Sequence, residues 1–110
     1  MKYFLPSEFR HFDKMNTTLL QMLDEMREIA GVPIVVTSSY RTPAENVAAG
    51  GVKDSSHLKG LAVDIHVPSN RYRLRYLDAA LRVGFRRIGI GSVFMHLDID
   101  DSKPDSIWLY

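Results

Sequence analysis

The chain has 110 residues, of which 45% are apolar and 25% charged, the make-up of one globular domain, 1–110, with an ordinary core. A formal net charge of +1 gives no bulk attraction to nucleic acid or another polyanion. The lack of cysteine excludes disulfides, thiolate catalysis and Cys-type zinc sites, leaving His, Asp and Glu as available metal ligands.

From Met1 to Glu8 the apolar run is too short for a secretory signal, and no later run is long enough to span a bilayer. A soluble product that does not export itself is expected. Pro6 to Phe9 reads as a short helical turn begun by Pro6 or Ser7, and His11 reads as a surface residue. Asn16 is a good N-cap for a helix whose Leu19, Leu20, Met22, Leu23, Met26 and Ile29 form an apolar stripe, and Gly31 and Pro33 end it. The methionines read as core packing rather than a soft binding groove.

Ile34-Val35-Val36-Thr37 is a β-branched run expected to form a buried strand. It delivers Ser38-Ser39-Tyr40-Arg41 at its end. Thr42 then caps a short helix that starts with Pro43 and runs to about Ala49. Arg41, at the strand mouth, has two open readings: a fork of donors for a carboxylate or oxyanion, or a structural salt bridge to Glu45. Gly50-Gly51 breaks the helix and a loop leads to Ser55.

The stretch from Ser55 to Asp64 places His57 and Asp64 seven positions apart, with Gly60 and Ala62 between. A turn at Gly60 followed by a strand over 61–67 folds Asp64 back towards His57. Imidazole and carboxylate suit zinc, whose catalytic sites usually take three protein ligands and keep a fourth position for water. The obvious third ligand is His96, in the strand-like Val93-Phe94-Met95-His96-Leu97-Asp98, where a period of two sets His96 and Asp98 on one face. The same period puts His66 on the face of Asp64, as a fourth ligand, a proton carrier or a rim residue.

Pro68-Ser69-Asn70 caps a helix from about Arg71 to Val83, with Leu74, Leu77 and Leu81 expected to face inward and Gly84 to end it. Six arginines, Arg71, Arg73, Arg75, Arg82, Arg86 and Arg87, mark this helix and its exit. They read as a solvated face rather than a polyanion site. Arg87 to Gly91 and Phe94 to Ile99 form two antiparallel strands turning near Ser92, and Ile107 to Tyr110 is a closing edge strand or a lid. Helices gathered before a late hairpin give an α+β domain with a mostly antiparallel sheet and helices packed on it.

Ser55-x-His57-x-x-Gly60-x-Ala62-x-Asp64, preceded by Ser38-Ser39-Tyr40-Arg41 and followed by His96-x-Asp98, resembles the signature of the D-alanyl-D-alanine carboxypeptidase family of zinc peptidases. That superfamily includes D-Ala-D-Ala dipeptidases, phage endolysins, murein endopeptidases and the hedgehog domain, and it implies a hedgehog/DD-peptidase-like fold. The resemblance implies one zinc ion per chain held by His57, Asp64 and His96. It further implies that Arg41 contacts the substrate, and that Ser55 and Tyr40 lie beside it. Many members place an acidic base three residues before the last histidine ligand. Here that position is Val93.

With Val93 there, Asp98 is the first candidate for the catalytic base and His66 the second, while Asp98 equally suits an orienting partner for a histidine ligand. Two functions follow from the resemblance: a zinc peptidase cutting peptidoglycan stem peptides or cross-bridges, or a zinc-binding module of the same fold without catalysis. A third reading, a non-metal fold with coincidental histidines, stays open. For the enzyme, a monomer made in the cytoplasm and acting at the cell wall after release, or carried in a virion, is expected, with no nucleic-acid partner and no membrane insertion.

Overall fold

A computed structural model describes residues 1–110. Its framework is one five-stranded sheet: β1 (Val36–Ser38), β2 (Ala62–His66), β3 (Arg87–Ile90), β4 (Phe94–Asp98) and β5 (Ser106–Leu109), in the order β1-β2-β4-β3-β5. Neighbours are antiparallel except β3 and β5, which run parallel. The helices are α1 (Thr17–Ala30), α2 (Pro43–Ala48) and α3 (Asn70–Val83). The domain is α+β with a mostly antiparallel sheet, as its residue pattern implies.

Alternation along the strands gives the sheet two unlike faces. Val63 and Ile65 of β2, Ile88 of β3, and Met95 and Leu97 of β4 join Leu19, Leu23 and Met26 of α1 and Tyr76, Ala79 and Ala80 of α3 in one apolar core. Each of the larger side chains, fully withdrawn from water, contributes roughly 1.5–3 kcal/mol. The opposite face carries the polar residues. Asp64 lies across from His96, Ala62 from Asp98, Gly89 from His96 and Arg87 from Asp98.

The helix boundaries follow local chemistry. Asn16, Thr42 and Ser69 each accept a backbone N–H of the first turn through the side chain. Gly31 and Gly84 end α1 and α3 in the left-handed conformation. The N-terminal segment makes a short 3-10 turn at Pro6–Glu8, and Glu8 reaches back to the backbone N–H of Leu5 at 2.6 Å.

Two expectations are corrected. The strand expected at Ile34 to Thr37 lies at Val36–Ser38 and forms the sheet's edge, with Ile34 alone of that run in the core and Val35 and Thr37 exposed. On α3 the buried side is Tyr76, Ala79 and Ala80, while Leu74 and Leu81 face solvent. Two alanines let α3 approach α1 closely, and the Tyr76 hydroxyl donates to the carbonyl of Pro33. That arrangement turns the leucines at 74 and 81 away from the core.

Candidate metal centre

The turn before β2 brings the first histidine into place. Ser56–Lys59 is a single 3-10 turn capped by Ser55, whose Oγ accepts from the backbone N–H of His57 at 3.2 Å. Gly60 closes it at φ 70°, where a side chain would be strained and a Cβ would stand 2.1 Å from the carbonyl oxygen of Lys14. His57 is thereby buried against the end of β1.

His57 Nδ1 lies 2.7 Å from the carbonyl oxygen of Ser39. A carbonyl only accepts, so Nδ1 carries the proton and Nε2 is left with its lone pair. That Nε2 is 3.4 Å from Asp64 Oδ1. On β4, His96 Nε2 donates to Asp98 Oδ2 at 2.7 Å, and Nδ1 faces the same Asp64 Oδ1 at 3.1 Å. Two imidazole lone pairs and a carboxylate oxygen therefore point at one small region, all within 4.8 Å of one another.

Three lone-pair donors in such proximity repel unless a cation lies among them. Without a metal that cation is a proton. Burial disfavours charge on both His96 and Asp64, yet their polar neighbours outweigh it: His57 and His96 lower the pKa of Asp64, and Asp64 and Asp98 raise that of His96. Two nitrogens and one oxygen with both tautomers already fixed form a donor set suited to zinc, with room for a further ligand.

The surroundings are polar and shaped. The three residues open onto a cleft of about 510 Å³, also lined by Arg41, Ser55, Arg87, Lys103, Trp108 and Tyr110 among others. Arg41 is held at each of its three nitrogens: Nε to Ser38 Oγ at 3.1 Å, Nη1 to Asn46 Oδ1 at 3.4 Å and Nη2 to Asp64 Oδ2 at 3.2 Å. Five N–H groups serve three partners, leaving two for a substrate. Of the two readings for Arg41, the salt bridge to Glu45 is not formed, because Glu45 pairs with Arg10 and His11.

Behind His96, Asp98 is 1% exposed and fully engaged. Its Oδ1 accepts from Arg87 Nε at 2.7 Å and from the backbone N–H of Asp100 at 3.1 Å, and its Oδ2 from His96. Arg87 also donates to the carbonyl of Pro104 and stacks on Trp108, its guanidinium carbon 5.0 Å from the ring centroid. Trp108 lies beside His96, and with Tyr110 and Phe94 it makes an aromatic wall. That wall rests on Gly89, where a Cβ would stand 2.5 Å from the Tyr110 ring.

The sequence places His57, Asp64, His96, Arg41, Ser55 and Asp98 at one site, and the structure brings all six to the cleft or its floor. His66 and Tyr40 are elsewhere. His66 shares the strand face of Asp64 but is exposed and does not line the cleft. Tyr40 packs edge-on against His11 and lines a neighbouring cavity on the other side of Arg41. Val93 sits outward in the β3–β4 turn, 60% exposed.

Arg87, Asn46, Trp108 and Tyr110 are additions. Arg87 was accessible in principle, since pairing its strand with Phe94 to Ile99 around Ser92 sets it across from Asp98. Asn46 carried no local signal.

A family model for peptidase M15 matches residues 7–100. The chain belongs to the peptidase M15 family. No curated relative matches it. Peptidase M15 proteins are zinc metallopeptidases, so the donor set of His57, Asp64 and His96 and the family assignment point to the same metal and to a peptide substrate. No helix of this M15 protein is long and apolar enough to cross a membrane.

Proposed function

We propose that this M15 protein is a zinc-dependent hydrolase of peptide bonds in peptidoglycan stem peptides or cross-bridges, acting as a monomer at the cell wall after release or from a virion. The observation that carries the reading is the convergence of His57 Nε2, Asp64 Oδ1 and His96 Nδ1 beneath an open cleft that Arg41 also lines. When bound there, zinc lowers the pKa of water towards neutrality and polarises a carbonyl.

The chain's own groups supply the rest. Ser39 and Asp98 hold the two rings in the tautomers that leave a lone pair free on each. Asp98, with both oxygens committed, orients His96 and strengthens it as a donor; this is the role we assign it rather than that of the base. Arg41 directs its two remaining N–H groups at a substrate carbonyl or carboxylate. Ser55 holds the His57 turn at the cleft edge, and the Trp108 wall limits water on the other side.

One observation favours a second reading, a zinc-binding module without turnover. The cleft is lined by two carboxylates, Asp64 and Asp98, and both are engaged, while the residue three before His96 is Val93. Mass spectrometry of muropeptides after incubation with purified peptidoglycan separates the two. New peptide termini that vanish with chelator and with His57→Ala support the peptidase and identify the bond. Stoichiometric zinc with no new termini establishes the module.

A further inference from the structure

Three cationic side chains line the cleft, Arg41, Arg87 and Lys103, against the two carboxylates of Asp64 and Asp98. Each arginine is held by one of those carboxylates, at 3.2 Å and 2.7 Å. Lys103 has no such partner. Its Nζ donates to the backbone carbonyl of Asp54 at 2.7 Å, and the nearest carboxylate oxygens, from Asp54 and Asp100, both stand at 3.9 Å.

Neither carboxylate satisfies the ammonium. The Asp54 side chain is 81% exposed, and a pair with so solvated a group is weak. Asp100 is already saturated: Oδ2 accepts from Ser56 Oγ at 2.8 Å and Lys59 Nζ at 3.0 Å, and Oδ1 from the backbone and hydroxyl of Ser102. An ammonium has three N–H bonds, so Lys103 keeps two, on a side chain only 19% exposed.

A shielded ammonium with donors to spare, on a wall where cations outnumber carboxylates, is complementary to an anion. A divalent cation on the floor increases that excess. We propose that Lys103 is a specificity-determining residue that selects peptides bearing a free carboxylate close to the bond that is cut. This rests on the peptidase reading and adds to it the residue of this chain that reads the substrate's charge. Arg41 is distinct from it in being anchored to Asp64, Ser38 and Asn46. If Lys103 only ties the loop after β4 to Asp54, its loss acts equally on charged and neutral substrates.

The test uses zinc-loaded wild-type protein, Lys103→Met and Lys103→Arg with two pairs of synthetic peptides. One pair ends in D-Ala-D-Ala as free acid or C-terminal amide; the other contains L-Ala-D-Glu with its α-carboxylate free or amidated. Wild type is expected to prefer the acid by about 10–100-fold in kcat/KM in one pair, the scale of a charged hydrogen bond. The pair that shows it identifies which carboxylate is bound. Lys103→Met is expected to bring the ratio to within about threefold by raising KM for the acid alone, and Lys103→Arg to keep most of it.

A wild-type ratio near one in both pairs overturns the proposal, as does a Lys103→Met variant that depresses acid and amide alike. If wild type cleaves none of the four peptides, the muropeptide digest, which also covers cross-bridges, decides the peptidase reading on its own. The acid-to-amide ratio in calorimetric affinity, with and without Lys103, then decides the carboxylate site separately.

Discussion

Replacing Asp98 with asparagine separates an orienting carboxylate from a catalytic base. The native carboxylate accepts three hydrogen bonds, from Arg87, His96 and the backbone of Asp100. Asparagine keeps the shape but has one acceptor oxygen, so its amide N–H₂ must face either the His96 ring N–H or the Arg87 guanidinium. At least one charge-assisted hydrogen bond is lost, about 1.5–3 kcal/mol. Disturbing a carboxylate that holds a histidine ligand typically lowers metal affinity about 10–100-fold, which at 1.4 kcal/mol per tenfold is about the same energy.

Asp98→Asn is therefore expected to bind zinc about 10–100-fold more weakly in competition with a chromophoric chelator, while remaining folded by circular dichroism. Measuring turnover at saturating zinc completes the comparison. Unchanged zinc affinity with a rate loss of about 10²–10⁴-fold would refute the orienting role and make Asp98 the proton carrier.

Arg41→Lys keeps the charge but loses the planar fork anchored at three points, so turnover is expected to fall about 10²-fold with zinc affinity retained, read from parallel kinetics and zinc titration. Gly51→Ala places a Cβ 2.0 Å from Asn46 Oδ1 and 3.1 Å from Arg41 Nη1. It is expected to cost about 1–3 kcal/mol in urea denaturation and to lower activity through Arg41. Asp100 gives a pH dependence of stability: burial opposes its charge, but hydrogen bonds from Ser102, Ser56 and Lys59 prevail and hold its pKa well below the usual carboxylate range. Because the folded pKa is depressed, this stabilisation is present above the unfolded value, about 3.9, and is lost as pH falls below it. Denaturation in chelator at pH 5 and pH 3 should show a smaller drop for Asp100→Asn than for wild type.

The parts legible in the sequence are those fixed by short-range chemistry. The caps at Asn16, Thr42 and Ser69 and the left-handed stops at Gly31 and Gly84 need only neighbouring residues, and the period of two in β2 and β4 is enough to set His96 beside Asp98. What escaped depends on contacts distant in the chain. The inward side of α3 is chosen by how closely Ala79 and Ala80 meet α1, a property no leucine spacing encodes. Ile34 to Thr37 is β-branched like a central strand, but the place of Val36–Ser38 at the sheet edge is decided by which strands pair. Asn46 matters because α2 carries it back over Arg41, with its amide donating to the carbonyl of Val52 at 2.9 Å. Lys103 enters the cleft only through the fold of the loop between β4 and β5.

Metal content bears most directly on the claim that His57, Asp64 and His96 form one cation site. Purified protein equilibrated with zinc and freed of excess should retain one zinc per chain, and alanine at any of the three should abolish this. Zinc should also raise the unfolding temperature by about 15–20 °C at a free concentration near 1,000 times Kd, from about 4 kcal/mol of linkage and the unfolding entropy of a chain this long. Well under one zinc per chain, or full zinc retained without His57, would contradict it.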